Sequence, residues 1–163
     1  MKPVFEQIQS MLRDAGVSFR HLHHAPTPTS EDSARVRGEP LAIGGKALSM
    51  RADGRAVLLV LSAACRFNSK RFRKRLGVRK LRFLTADELF ESTGLVPGSV
   101  PPFGAPVLPF ELFLDESIFA NPRIAFNAGS LEDSIILELG AYLSVAGEYT
   151  RVEVTDPPPG PAR

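Results

Sequence analysis

Two adjacent prolines set between glycines, in Gly98-Ser99-Val100-Pro101-Pro102-Phe103-Gly104, interrupt this chain at a point no regular element can cross. Each proline ring fixes φ at about −65° and removes a backbone donor, which excludes a helix interior and a central strand. The flanking glycines reach positive φ and admit another group close to the backbone. Residues 98–104 must therefore form an irregular loop, stiff in its middle and bare at its ends. Such a loop suits the wall of a small-molecule pocket, and it suits an ordinary tight turn equally well.

On either side of the loop, apolar spacing alternates between helical and extended periods. Val4, Phe5, Ile8, Met11 and Leu12 recur at helical spacing across residues 3–15, closed by Gly16. Residues 17–22 alternate as a strand with Phe19 inward, and Thr29 or Ser30 caps a short helix reaching Arg37. Residues 42–51 and 56–61 read as strands joined at Asp53-Gly54. Asn68 or Ser69 caps a basic helix ending near Gly77, and residues 80–84 return as a strand. Thr85-Ala86-Asp87-Glu88 is a capping box, and Gly94 closes the helix it opens. Residues 111–114, 123–127, 134–139 and 149–154 read as strands, and 141–145 as a helical turn. The expected fold is a single α+β domain over residues 1–155, with a mixed, curved or barrel-like β-sheet and flanking helices. Residues 156–163, rich in Pro and Gly, are expected to be a disordered tail.

Composition narrows the function classes. The chain has one cysteine, Cys65, which excludes an intrachain disulfide and points to a reducing cytoplasm. The longest apolar run, 56–64 with Ser62 inside it, is too short to span a bilayer, and Met1-Lys2 opens an amphipathic segment unlike a secretory leader. The net charge of +2 conceals an uneven distribution. Arg66, Lys70, Arg71, Arg73, Lys74, Arg75, Arg79, Lys80 and Arg82 crowd one stretch, and no acid occurs from 56 to 86. A solvated face is the ordinary reading of such a run, and contact with a polyanion is the other.

Several side chains are chemical candidates. Period-two alternation puts Lys46 on the strand face of Leu48 and Met50, where an ammonium either snorkels out or meets a partner. His21, His23 and His24 cluster, but their only soft partner is Cys65 and no carboxylate lies at ligand spacing, so no metal is expected. Cys65 follows a buried strand and reads as a small core residue. Ser99 lacks the strand–turn–helix setting of a nucleophile elbow.

Gly44-Gly45-Lys46-Ala47-Leu48, Thr93-Gly94, the 98–104 loop and Phe126-Asn127-Ala128-Gly129, in this order and spacing, resemble the YbaK/ProX superfamily. Its members are free-standing relatives of the editing domain inserted in bacterial prolyl-tRNA synthetase. The resemblance runs from the first helix to about Leu143. It implies the fold of that domain and hydrolysis in trans of mischarged aminoacyl-tRNA, without cofactor or metal. It further implies Lys46 as the catalytic residue, with substrate binding by Gly98, Ser99, Val100, Pro101, Pro102, Phe103 and Gly104 and by Asn127, Ala128 and Gly129. The implied partner is mischarged tRNA, with Arg66, Lys70, Arg71, Arg73 and Lys74 on its phosphates and an aminoacyl-tRNA synthetase as a candidate second partner. Neither a membrane nor DNA is expected. A non-catalytic tRNA- or synthetase-binding module on the same fold is the alternative.

Two departures limit what the resemblance carries. The loop reads Val-Pro-Pro-Phe-Gly where cysteinyl-tRNA-clearing members typically end Ser-Pro-Leu-Gly, which argues against that substrate. Ala141 stands where many relatives have an aspartate, so no role of that acid transfers. An aminoacyl ester is already activated, and its hydrolysis needs positioned water and donors for the oxyanion more than a strong nucleophile. Backbone amides at 98–104 or 127–129 are candidate donors, and Lys46 a fixed charge for a phosphate or the ester carbonyl. In the family the tRNA 2′-hydroxyl is thought to help activate water. The stiff apolar loop implies a size limit that admits alanine, serine or threonine and refuses proline.

Overall fold

The computed structural model describes residues 2–157. In chain order the backbone forms α1 (Val4–Asp14), β1 (Arg20–His23), α2 (Ser30–Arg37), a 3-10 turn (Leu41–Ile43), β2 (Gly45–Ala52) and β3 (Arg55–Ser62). There follow β4 (Arg66–Phe67), α3 (Ser69–Leu76), β5 (Leu81–Phe83) and α4 (Ala86–Thr93). After the Pro-Pro loop come β6 (Glu111–Asp115), α5 (Glu116–Phe119), β7 (Arg123–Asn127), β8 (Asp133–Glu138), α6 (Leu139–Val145), β9 (Thr150–Val152) and β10 (Thr155–Asp156).

Local chemistry sets the helix starts. The Thr29 hydroxyl accepts from the Asp32 amide, and the Asn68 side chain from the Arg71 amide. Thr85 and Glu88 complete the capping box of α4, each accepting from the other's backbone. Gly38, Gly77 and Gly94 close α2, α3 and α4 in the left-handed conformation. The strand predicted to begin at residue 42 begins only at Gly45, because Leu41–Ile43 turn once after Pro40.

β3 lacks polar alternation because both its faces are covered. It is the centre of a five-stranded mixed sheet, β5-β2-β3-β6-β9, antiparallel to β2 and parallel to β6. Leu58 and Val60 face the main core, which also contains Ile124 and Phe126 of β7, Ile135 and Leu137 of β8, and Ile8 and Leu12 of α1. Val57, Leu59 and Leu61 face the opposite side, where Phe72 of α3 covers them. The second sheet is three-stranded, β1-β8-β7, and Ile43 packs on the far side of β7 and β8 against Ala125 and Ile136.

The expected α+β domain with a mixed sheet is what forms, and of the two expected sheet shapes, curved or barrel-like, a closed barrel is not the one adopted. Among the described residues the two larger sheets keep separate edges and meet through one isolated parallel bridge, Gly44 to Ala125. A side chain at Gly45 would place its Cβ 2.7 Å from Ile124 Cδ1, so the sheets approach this closely only because glycine stands there. The boundary at residue 156 also moves. Asp156 pairs antiparallel with Arg66 as part of β10, so ordered chain continues past 155, while 158–163 of the expected tail lie outside the described residues.

Candidate active site

The bridge at Gly44 opens onto a cleft of about 370 Å³ at the seam between the two sheets. Lys46 follows Gly45 directly, at the exposed beginning of β2. Its ammonium has no hydrogen-bond or ion-pair partner among the described residues. Asn127, the last residue of β7, enters from the other sheet, and Gly98 and Val100 close the cleft from the Pro-Pro loop. Leu48, Leu84, Leu89 and Val100 supply its apolar wall. The structure thus brings Lys46, Gly98, Val100 and Asn127 together.

The rest of the predicted loop lies beneath the cleft. Pro101, Pro102, Phe103 and Gly104 are buried, with Phe103 stacked edge-on against Phe126 and Tyr142. The Tyr142 hydroxyl donates to the Pro102 carbonyl at 2.6 Å, and burial raises its pKa far above the ordinary phenol range, so it stays a donor. Ser99 is buried too, its hydroxyl donating to the Val96 carbonyl. A stiff apolar loop is as useful in a core as around a ligand, and here most of it is core.

The amides at 128–129 are spent as well. Ala128 N–H donates to the Asp133 carbonyl and Gly129 N–H to the Ser99 carbonyl, both at 2.9 Å. Gly129 is also pressed against α1, where a Cβ would lie 2.9 Å from Val4 Cγ1. Of the predicted oxyanion donors, Ser99 and Phe103 are engaged within the loop, and the two prolines have no N–H. Gly98 and Val100, the two that line the cleft, have no acceptor for their amides among the described residues.

The residue that sequence reasoning missed is Arg37. It is 8% exposed, and burial lowers its pKa to about 10. Its Nε donates to Ser134 Oγ at 2.9 Å and its Nη2 to Asn127 Oδ1 at 3.0 Å. Asn127 in turn donates from Nδ2 to the Gly98 carbonyl at 2.8 Å. His24 completes the network: Nδ1 donates to the Ala25 carbonyl, and in the neutral ring Nε2 accepts the Ser134 hydroxyl at 2.8 Å. The β7–β8 register creates this arrangement by placing Asn127 opposite Ser134. No carboxylate pairs with Arg37 among the described residues.

The other candidates sit elsewhere. The carboxylate that spacing failed to supply for the histidines is Asp133 of β8, which bonds His21 Nε2 at 2.7 Å and His23 Nδ1 at 3.0 Å across the β1–β8 pair. That hydrogen bond raises the pKa of His23. Among the described residues, no group of three or more His, Cys, Asp or Glu is arranged to hold a metal. Cys65 is half-buried in the turn after β3, and Ala141 packs against the core in α6; neither lines the cleft.

The basic run divides by partner. Arg71 reaches the Thr155 carbonyl and lies 3.7 Å from Asp156. Arg82 binds Glu88 through both nitrogens at 2.7 and 2.9 Å, which holds the Glu88 pKa down at about 2 and keeps the pair charged across the neutral range. Arg66, Lys70, Arg73 and Lys74 are exposed without such partners. Arg73 joins Arg51, Arg79, Lys80 and Arg82 around a second, shallow depression. From Lys46 to Arg51 is about 17 Å of extended chain, so β2 leads from the cleft into this cationic ground. Between them Phe83 stands at the cleft rim, 55% exposed.

The profile of the aminoacyl-tRNA editing domain family matches residues 24–144, and the chain belongs to that family. Among particular relatives it is 31% identical over 147 residues to the Multifunctional Ser/Thr-tRNA deacylase ProXp-y of Escherichia coli strain K12, spanning 86% of this chain and 87% of that protein. It is 30% identical over 124 residues to the Proline--tRNA ligase of Bacillus licheniformis, of which it spans 22%. A crystal structure described as a candidate trans-editing enzyme for prolyl tRNA synthetase shares the fold, with a TM-score of 0.79 at 23% identity over 96% of this chain and 99% of that one. Among the described residues no helix is long and apolar enough to cross a membrane.

Proposed function

We propose that the protein is a cytoplasmic trans-editing deacylase that hydrolyses the ester of mischarged aminoacyl-tRNA, releasing free amino acid and tRNA. One observation carries this reading: among the described residues the cleft is lined by two cations, Lys46 and Arg37, and by no Asp, Glu, His or Cys. A site whose Ser and Thr hydroxyls have no carboxylate or imidazole in the lining to activate them suits a polyanionic substrate whose acyl group is already activated. The vicinal hydroxyl of the substrate's terminal ribose is then the group left to orient the water. Lys46 meets the terminal phosphate at the cleft mouth, and the exposed face of Phe83 gives an unpaired base a surface for stacking. Arg66, Lys70, Arg73 and Lys74 extend the phosphate track. Val100, backed by the buried prolines, limits the acyl side chain to alanine, serine or threonine, and the name of the Escherichia coli relative supports the hydroxylated pair.

The test is a deacylation panel of alanyl-, seryl-, threonyl- and prolyl-tRNA at catalytic protein concentration. Free amino acid should be released from the small-residue substrates. Lys46→Ala, still folded, should lower that rate at least about tenfold. Tight tRNA binding without release of any amino acid would make the protein a binding module instead.

A further inference from the structure

A buried guanidinium without a counter-ion is costly, and Arg37 uses only two of its three nitrogens. Nε and Nη2 are fixed by Ser134 and Asn127, so the guanidinium plane cannot turn. Nη1 has no acceptor among the described residues. It lies over Gly44, where a Cβ would come within 3.9 Å of it, and Arg37 and Gly44 both line the cleft. Asn127 also lines the cleft, but its amide is neutral, with Oδ1 accepting from Arg37 and Nδ2 donating one of its two hydrogens to the Gly98 carbonyl. Lys46 is the other cation in the cleft, but it stands exposed at the mouth, where water screens it.

We infer that Arg37 holds the acyl oxygen of the bound ester: Nη1 donates to the carbonyl oxygen in the ground state and more strongly to the oxyanion formed on the way to products. This rests on the deacylase reading and assigns the two cations different parts, Lys46 for the nucleotide and Arg37 for the acyl group. In the step itself, the oxygen of water adds to the acyl carbon, and the carbonyl electron pair moves onto the oxygen facing Nη1. The pair then returns to re-form the double bond as the bond to the ribose oxygen breaks. The ribose oxygen keeps one proton from water and the other is released to solvent, leaving an amino-acid carboxylate and a free ribose hydroxyl. Because the guanidinium is already oriented, stabilising the oxyanion requires no reorganisation.

The experiment is single-turnover hydrolysis of seryl- or alanyl-tRNA by wild type, Arg37→Met and Lys46→Ala, with tRNA affinity measured in parallel and folding checked by thermal denaturation. In Arg37→Met the chemical step should fall about 100-fold or more, the scale for loss of one oxyanion donor, while the dissociation constant for tRNA changes less than about threefold. Free guanidinium ion should restore part of the rate in Arg37→Ala and none in Lys46→Ala. If Arg37→Met does not fold, Arg37→Lys decides the matter, since it keeps the charge but cannot span all three positions; its chemical step should fall at least about tenfold with binding unchanged. Wild-type single-turnover rates in a folded Arg37 variant would overturn the assignment alone. So would equal losses of rate and affinity, which belong to a phosphate contact. A wild-type protein inert on every mischarged tRNA would overturn the deacylase reading and this one together.

Discussion

At the end of β6, Asp115 is fully buried and accepts hydrogen bonds from the Val154 amide at 2.7 Å, the Thr155 hydroxyl at 2.8 Å and the Ser117 amide at 2.9 Å. At the end of α2, Arg37 is nearly as buried, also in a network of polar neighbours, yet one of its nitrogens is unclaimed among the described residues. Burial and charge are common to both. The difference lies in the remaining hydrogen-bonding capacity and in what adjoins it. Asp115 is closed in by chain and ties the C-terminal strands to α5, whereas Arg37 opens onto a cleft. A buried ion whose bonds are all made by the protein is part of the fold; one with a free donor beside a cavity is prepared for something the protein does not contain.

The sharpest way to break this comparison is to remove the closed group. Asp115→Ala leaves three donors without their acceptor and should lower stability by about 3 kcal/mol, read by urea unfolding, while the folded fraction deacylates at the wild-type rate. Arg37→Met should show the opposite pattern, losing chemistry and little stability. Equal destabilisation by the two substitutions would remove the distinction. A smaller effect is expected at the rim, where Phe83 has an aromatic face in solvent rather than a free donor. Phe83→Ala should raise KM about tenfold with kcat nearly unchanged, on the scale of one stacked base. The chain contains no tryptophan, so Phe83→Trp provides a single indole whose fluorescence should be quenched by a CCA trinucleotide; unchanged emission would leave Phe83 an ordinary exposed side chain. The smallest effect separates occupied from unoccupied surface cations. Replacing Arg73 and Lys74 by Gln should weaken tRNA binding a few-fold and reduce the slope of log affinity against log salt by roughly 1 to 2, whereas Arg82→Gln, already neutralised by Glu88, should barely change it.

Local rules made much of this fold legible. Thr29, Asn68 and Thr85 cap helices through bonds that close within three residues, and the doubly apolar β3 declares itself by its run of branched side chains. Sequence leaves the choice between a curved and a barrel-like sheet open because closure depends on how distant strands meet, and nothing near Gly44-Gly45 encodes that Ile124 will press on Gly45. The site divides in the same way. The position of Lys46 behind its glycine pair at the head of a strand is legible in the sequence, and the strand does place it on the cleft. That of Arg37 is not, since a basic residue in the last turn before a glycine is the ordinary complement of a helix C-terminus. Only the pairing of β7 with β8 turns it into the centre of a network. Pro101 and Pro102 show the converse: their stiffness is plain in the sequence, but not the side of the loop on which it acts.

The bridge at Gly44, the one backbone link between the two larger sheets among the described residues, bears on more than the place of the cleft. Elsewhere the two sheets are held by apolar packing, Leu58 and Val60 of β3 against Ile124, Phe126, Ile135 and Leu137 of β7 and β8. In the proposed reading, a substrate held by Lys46 of β2 and by Arg37 of α2, which is itself bonded to Asn127 and Ser134 of the other sheet, adds a link across the seam. Such a link would stabilise the folded chain by mass action while substrate is bound, and release of product would remove it.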